Sequence, residues 1–61
     1  REILECVMRL APKYRSVLHL YYIEGYKTAE IASMTDLSVS AVKKRLQYAR
    51  EKLRIEYDGG N

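Results

Sequence analysis

The chain has no tryptophan and no phenylalanine, and only one cysteine, one proline, one histidine and three glycines in 61 residues. Each shortage excludes something. A lone Cys6 permits no intrachain disulfide, and Cys6 with His19 cannot supply the ligand set of a zinc site. Cys6 therefore reads as a small apolar core side chain, and His19, on the second helix with no carboxylate or cysteine at ligand spacing, as a structural residue. No apolar run approaches the roughly 20 residues of a membrane span. Nor does a charged leader run into an apolar stretch as in a signal peptide, so the default expectation is a cytoplasmic address. Glu5, Glu24 and Glu30 fall on different predicted helices and make no acid–base pair, so no catalytic residue, cofactor or enzymatic activity is expected. A chain this short buries only about 60% of its unfolded surface, which leaves one domain at most and little room for a large active-site cavity. Its start at Arg1 rather than Met is the expectation for a fragment of a longer protein.

Charge is what the chain has, and it is unevenly placed. Residues 1–37 hold five basic and five acidic groups, residues 38–54 hold six and one, and residues 55–61 hold two acids. The whole excess of +3 therefore lies on one segment. A concentrated basic face suits a polyanion, because every phosphate it neutralises releases condensed counterions. Nucleic acid is the partner this pattern favours.

Start and stop signals mark four helices. The first, about 2–10, carries Ile3, Leu4, Val7, Met8 and Leu10 at spacings of three and four and stops before Pro12. Proline disfavours helical geometry in the residue before it but fits the first turn of a new helix, so Ala11-Pro12 ends one helix and opens the next. The second, to about Glu24, has the stripe Tyr14, Val17, Leu18, Leu20 and Tyr21, leaves Tyr22 partly exposed, and ends at Gly25. The third, about 28–34, offers Ala29, Ile31, Ala32 and Met34 as its apolar set. Thr35-Asp36-Leu37 makes a turn in which Asp36 tolerates left-handed backbone angles, and Ser38 is suited to cap the fourth helix. On that helix, expected over 38–54, Leu46, Ala49 and Leu53 fall within about 40° of Val42, while Ser40, Lys44, Gln47 and Glu51 lie opposite. Lys43, Arg50 and Arg54 flank the polar face. The expected fold is all-α, a small four-helix domain over residues 1–57 with a flexible tail at 58–61.

A short helix, a three-residue turn and a capped basic helix make a helix-turn-helix, whose second helix enters the major groove of DNA. An ordinary helical hairpin with a solvated basic side fits the same periodicity, but not the charge asymmetry.

The residues Pro12-Lys-Tyr-Arg-Ser-Val-Leu-His-Leu-Tyr-Tyr-Ile-Glu-Gly25, then Glu30-Ile-Ala32, Val42-Lys-Lys-Arg-Leu46 and Ala49-Arg-Glu-Lys-Leu53 resemble region 4 of bacterial RNA polymerase sigma factors, especially the extracytoplasmic-function group. The resemblance covers about residues 3–54 and implies a helix-turn-helix of the winged-helix-like type without a wing. It implies that the last helix reads the minus-35 promoter element and that the domain docks on the flap of RNA polymerase core, with an anti-sigma factor as a further partner. Carried over, the implied base contacts are Val39, Ser40, Lys43, Lys44 and Gln47, and the implied phosphate contacts are Thr28, Arg45 and Arg50. Three positions depart from the family pattern. Lys27 stands where a Ser or Thr cap is common, so Thr28 is a candidate to take over capping. Asp36 replaces the usual turn glycine, and Val39 replaces a commonly polar residue, so that it can meet a thymine methyl but not hydrogen-bond a base. Two other readings use the same residues. One is the output domain of a response-regulator transcription factor, which commonly has His where this chain has Arg45. The other is a protein-interaction domain for the flap or an anti-sigma factor, with DNA contacts secondary.

Overall fold

A computed structural model describes residues 2–59, with side chains described for residues 4–54. Four helices follow one another: α1, Glu2–Arg9; α2, Pro12–Leu18, which continues as a π-helical stretch, His19–Ile23; α3, Thr28–Thr35; and α4, Val39–Gly59. The described residues contain no strand, and the fold is the expected all-α domain. Ala11 is extended (φ −59°, ψ 148°), and its carbonyl accepts the N–H groups of Tyr14 and Arg15 at 2.9 and 3.1 Å, so the first turn of α2 forms behind Pro12.

The core is one cluster of Leu10, Val17, Leu18, Ile31, Ala32, Val42, Leu46 and Ala49, with Tyr14, Leu20, Leu37 and Leu53 packed on its edge. The stripe of α4 is the one its periodicity predicts: Val42, Leu46 and Ala49 are all buried and Leu53 is half-buried. Cys6 is buried too, as a thiol outside any disulfide, and its Sγ accepts from Arg9 Nη1 at 3.7 Å. The Val17, Ile31, Val42 and Leu46 side chains, all but inaccessible to water, tie α2, α3 and α4 together.

Three of the expected stripes are corrected. In α1 the inward line is Cys6 and Leu10, whereas Leu4 and Met8 stay 59% and 60% exposed; the side chain of Ile3 lies outside the described residues. A helix this short, packed on α4, can turn only one of its two apolar lines inward. In the second helix Tyr21 is exposed rather than in the core, alongside Tyr22 and Ile23. The cause is the π stretch: the Glu24 N–H bonds the His19 carbonyl five residues back at 3.0 Å, and the wider turn shifts the helical phase after Leu18. In α3 only Ile31 and Ala32 are buried, and Ala29 and Met34 lie outside. Both sit about 110° or more around the helix from the direction that Ile31 and Ala32 share.

Gly25 adopts φ +81° and lets the Tyr26 N–H return to the Leu20 carbonyl at 3.0 Å. A Cβ there would meet no neighbouring atom, so the need for glycine is backbone conformation and not space. The α4 backbone runs past Arg54 to Gly59, because Ile55 to Asp58 contain no breaker and propagation adds one hydrogen bond per residue. Residues 60 and 61 of the expected tail lie outside the described residues.

Candidate nucleic-acid interface

The interface begins where α3 begins. Lys27 is the residue before the first turn, extended at φ −77° and ψ 158°, and its N–H donates to Glu30 Oε1 at 2.8 Å. A lysine side chain has no acceptor, so the reciprocal bond of a capping box is chemically impossible and Glu30 alone closes this end. Thr28, the candidate cap, is instead the first helical residue and is half-buried. Sequence reasoning gave Glu30 no role of its own; its spacing of three from Lys27 was the signal that could have supplied one.

α3 ends at Asp36, whose φ of 59° and ψ of 41° are left-handed. Its N–H and that of Leu37 both reach back to the Ala32 carbonyl, the latter at 2.9 Å, which reverses the chain and drops Leu37 against the core. Ser38 then caps α4, with its Oγ accepting the Ala41 N–H at 3.0 Å. These bonds set the angle at which α4 leaves the turn. With Val42 and Leu46 fixed inward, the opposite side of α4 must face water.

That outward side carries Ser40, Lys43, Lys44 and Gln47, and Val39 lies at its edge in the first turn; all five expected base-contacting residues are exposed. Arg45 is half-buried on the far flank, where the helix turns back toward the core. Among the described residues, the side chains of Lys43, Lys44 and Arg45 have no hydrogen bond or ion pair, and no acidic residue lies between Val39 and Tyr48 to neutralise them. Thr28 sits on α3, across the turn from this surface.

Arg50 is placed differently. Its guanidinium Nη1 donates to the Tyr22 hydroxyl of the π stretch at 2.6 Å, and Arg54 pairs with Glu51 at 3.2 Å on the same helix. Arg50 and Leu53 border an apolar groove of about 720 Å³ whose other walls include Leu4 and Met8 from α1 and Tyr22 and Ile23 from the π stretch. Sequence periodicity missed the Tyr22–Arg50 bond, because it depends on the phase shift of the π stretch. The same shift brings His19 Nε2 to 3.1 Å from Glu24 Oε2, a pair at a separation of five that an α-helix does not favour. Among the described residues, no group of three His, Cys, Asp or Glu is placed to hold a metal, and no helix is long and apolar enough to cross a membrane.

The chain is similar to known transcription proteins. It is 43% identical over 56 residues to a probable RNA polymerase sigma factor RfaY of Xanthomonas campestris pv. campestris, an alignment that covers 92% of this chain and 14% of that protein. To an ECF RNA polymerase sigma factor SigL of Mycobacterium tuberculosis it is 34% identical over 53 residues, 87% of this chain and 30% of that protein. The chain thus spans less than a third of either relative. No solved structure gives a significant match. The sequence also matches a family described as sigma-70, region 4, over residues 1–53. That match takes in α1, the π-interrupted second helix, the helix-turn-helix and the core-facing part of α4, and the chain belongs to the sigma-70 region 4 family.

Proposed function

We propose that α3, its turn and α4 bind duplex promoter DNA at the minus-35 element, as the promoter-recognition domain of a sigma factor that directs RNA polymerase to begin transcription. The observation that carries this reading is the outward face of α4 from Val39 to Gln47, basic, exposed and without an acidic neighbour. In this reading Lys43 and Lys44 donate to guanine O6 and N7, Ser40 and Gln47 hydrogen-bond base edges, and Val39 packs on a thymine methyl. Thr28 and Arg45 contact phosphates on either side of the groove and fix the register of the helix. Arg50 adds a phosphate contact when it is not engaged by Tyr22. The apolar groove between α1 and the π stretch is the docking surface for the polymerase flap, and for an anti-sigma factor when the protein is held inactive. Met8, Tyr22 and Ile23 line it, whereas Leu20 packs on the core. The relatives' names, both of sigma factors, support this reading over a response-regulator output domain.

The test is promoter footprinting with RNA polymerase core and the sigma protein carrying this chain. The expected result is protection of the upstream promoter element that disappears with Lys43→Ala/Lys44→Ala. Protection that survives this change would remove α4 from the DNA.

A further inference from the structure

Arg50 and Lys43 lie about 20° apart around α4, yet the structure treats them differently. Lys43 is exposed and without a partner among the described residues, whereas Arg50 reaches across to Tyr22, 28 residues away in sequence, and lies along the apolar groove with Leu53. The Tyr22 ring is held in place by Tyr21, to which it stands edge-on with ring centroids 4.9 Å apart and planes at 85°, and its hydroxyl is the acceptor at 2.6 Å. A guanidinium is a planar fork of five donors that is best satisfied by a charged, two-oxygen acceptor such as phosphate. A phenol offers it one neutral oxygen, at the rim of the apolar groove. We propose that Tyr22 is a positioning residue for the DNA interface: its hydroxyl draws Arg50 to the groove side of α4 and withholds one cation from the DNA backbone while the groove is empty. This rests on the reading of α4 as a DNA-binding helix.

Arginine has the length to swing from the groove rim to the flank that it shares with Lys43. The bond that restrains it is solvent-accessible and has a neutral acceptor, so it biases the side chain and does not lock it. The π stretch is what makes the arrangement possible. By shifting the phase after Leu18 it turns Tyr22 outward beside Arg50, and Tyr22 keeps 54% of its surface exposed.

Duplex binding is to be measured across a salt series for the full sigma protein carrying this chain, free of polymerase, and for its Tyr22→Phe, Arg50→Ala, double and Lys44→Ala variants. Tyr22→Phe keeps the ring and removes only the acceptor. It should bind more tightly at low salt and gain one phosphate contact, which steepens the salt slope by about 0.9 and enlarges the loss of affinity between about 50 and 200 mM salt by about 3.5-fold. Arg50→Ala alone should weaken preferred and scrambled duplexes alike, by less than Tyr22→Phe strengthens them, and the double variant should bind like Arg50→Ala. A readout that general loosening would not reproduce is the Arg50 side-chain Nε–H signal in NMR, which should lose order in Tyr22→Phe while the melting temperature holds. If Tyr22→Phe binds with unchanged or weaker affinity and slope while Lys44→Ala still weakens binding, Tyr22 withholds nothing and the inference is wrong. If Lys44→Ala leaves binding unchanged as well, the DNA reading fails, and the inference with it.

Discussion

The two halves of α4 share one buried stripe and present different outer faces. From Val39 to Gln47, behind a turn closed by Asp36 and Ser38, Lys43 and Lys44 stand in water, Arg45 is half-buried, and no acidic residue lies between them. From Tyr48 to Arg54 the arginines are occupied: Arg50 by Tyr22, Arg54 by Glu51, while Tyr48 stacks on Tyr14 with centroids 4.5 Å apart. Charge density alone does not separate the halves, since each carries three Lys or Arg. Neighbours do. The first half has no helix over its outer flank, whereas the second lies beside α1 and the π stretch, which supply a phenol and an apolar groove. A helix can thus offer cations to a polyanion at one end and a rim for a protein partner at the other, and the division follows from which elements pack beside it.

The change expected to erase the comparison altogether is Leu46→Ala. Leu46 is 2% exposed and sits in the stripe beneath both halves, among Val42, Ala49 and the buried residues of α2 and α3. Truncating a buried leucine costs about 2–5 kcal/mol, comparable with the stability of so small a domain. Both faces should be lost together in a circular-dichroism melt. A melting temperature close to that of the parent would mean that the stripe is not what holds the two halves in register.

A smaller change sharpens the comparison. Lys44 lies at the outward centre of the first half, where a lysine meets base edges, so Lys44→Ala should cost about 1–3 kcal/mol on the preferred duplex and narrow its margin over a scrambled one. Arg50→Ala, in the second half, should leave that margin unchanged. Competition binding with the two duplexes measures both. Equal weakening of both duplexes by Lys44→Ala would make it a phosphate contact and rotate the docked helix.

The first half is legible in the sequence and the second is not, for a physical reason. Val42, Leu46 and Ala49 keep strict helical period, Ser38 is a cap by its chemistry, and Asp36 is tolerant of left-handed angles, so each of these features is local to a few residues. The resemblance to sigma region 4 rests on Pro12 to Gly25, Glu30 to Ala32, Val42 to Leu46 and Ala49 to Leu53. The exposure of Tyr21 and the bond between Tyr22 and Arg50 escape such a reading because they depend on one extra residue in a helical turn, which no hydrophobic period in His19 to Ile23 announces. Ala29 and Met34 are assigned to the core when apolar character is counted without asking how wide a face an eight-residue helix can bury. Leu4 and Met8 err in the same direction, and their exposure is what opens the groove.

Ser38→Ala should act on the first half alone. Losing the Oγ acceptor for the Ala41 N–H costs about 1 kcal/mol and frays the first turn of α4, which bears Val39 and Ser40. Amide hydrogen exchange should speed up at Ala41 and its neighbours and stay unchanged beside Arg50. Uniform acceleration along α4 would show that the halves do not open separately.

The smallest expected effect is a gain, and it tests whether the turn before α4 is strained. Asp36 is the only non-glycine residue of positive φ, at 59°, among those described, and an L-residue is destabilised in that conformation by the approach of its Cβ to the following carbonyl. Glycine removes the clash but enlarges the entropy of the unfolded chain by an amount of similar size, so Asp36→Gly should stabilise by only about 0.5 kcal/mol. For a domain of about 60 residues that is a rise of about 2–4 °C in melting temperature. The substitution also deletes a negative charge from the helix-turn-helix, so duplex affinity should rise slightly for preferred and scrambled DNA alike. Asp36→Asn separates the two causes, because asparagine tolerates left-handed angles yet carries no charge. It should reproduce the gain in affinity with less of the gain in stability. If Asp36→Gly lowers the melting temperature and Asp36→Asn lowers it equally, the carboxylate stabilises the start of α4 through its charge, and the turn is not the strained point of the first half.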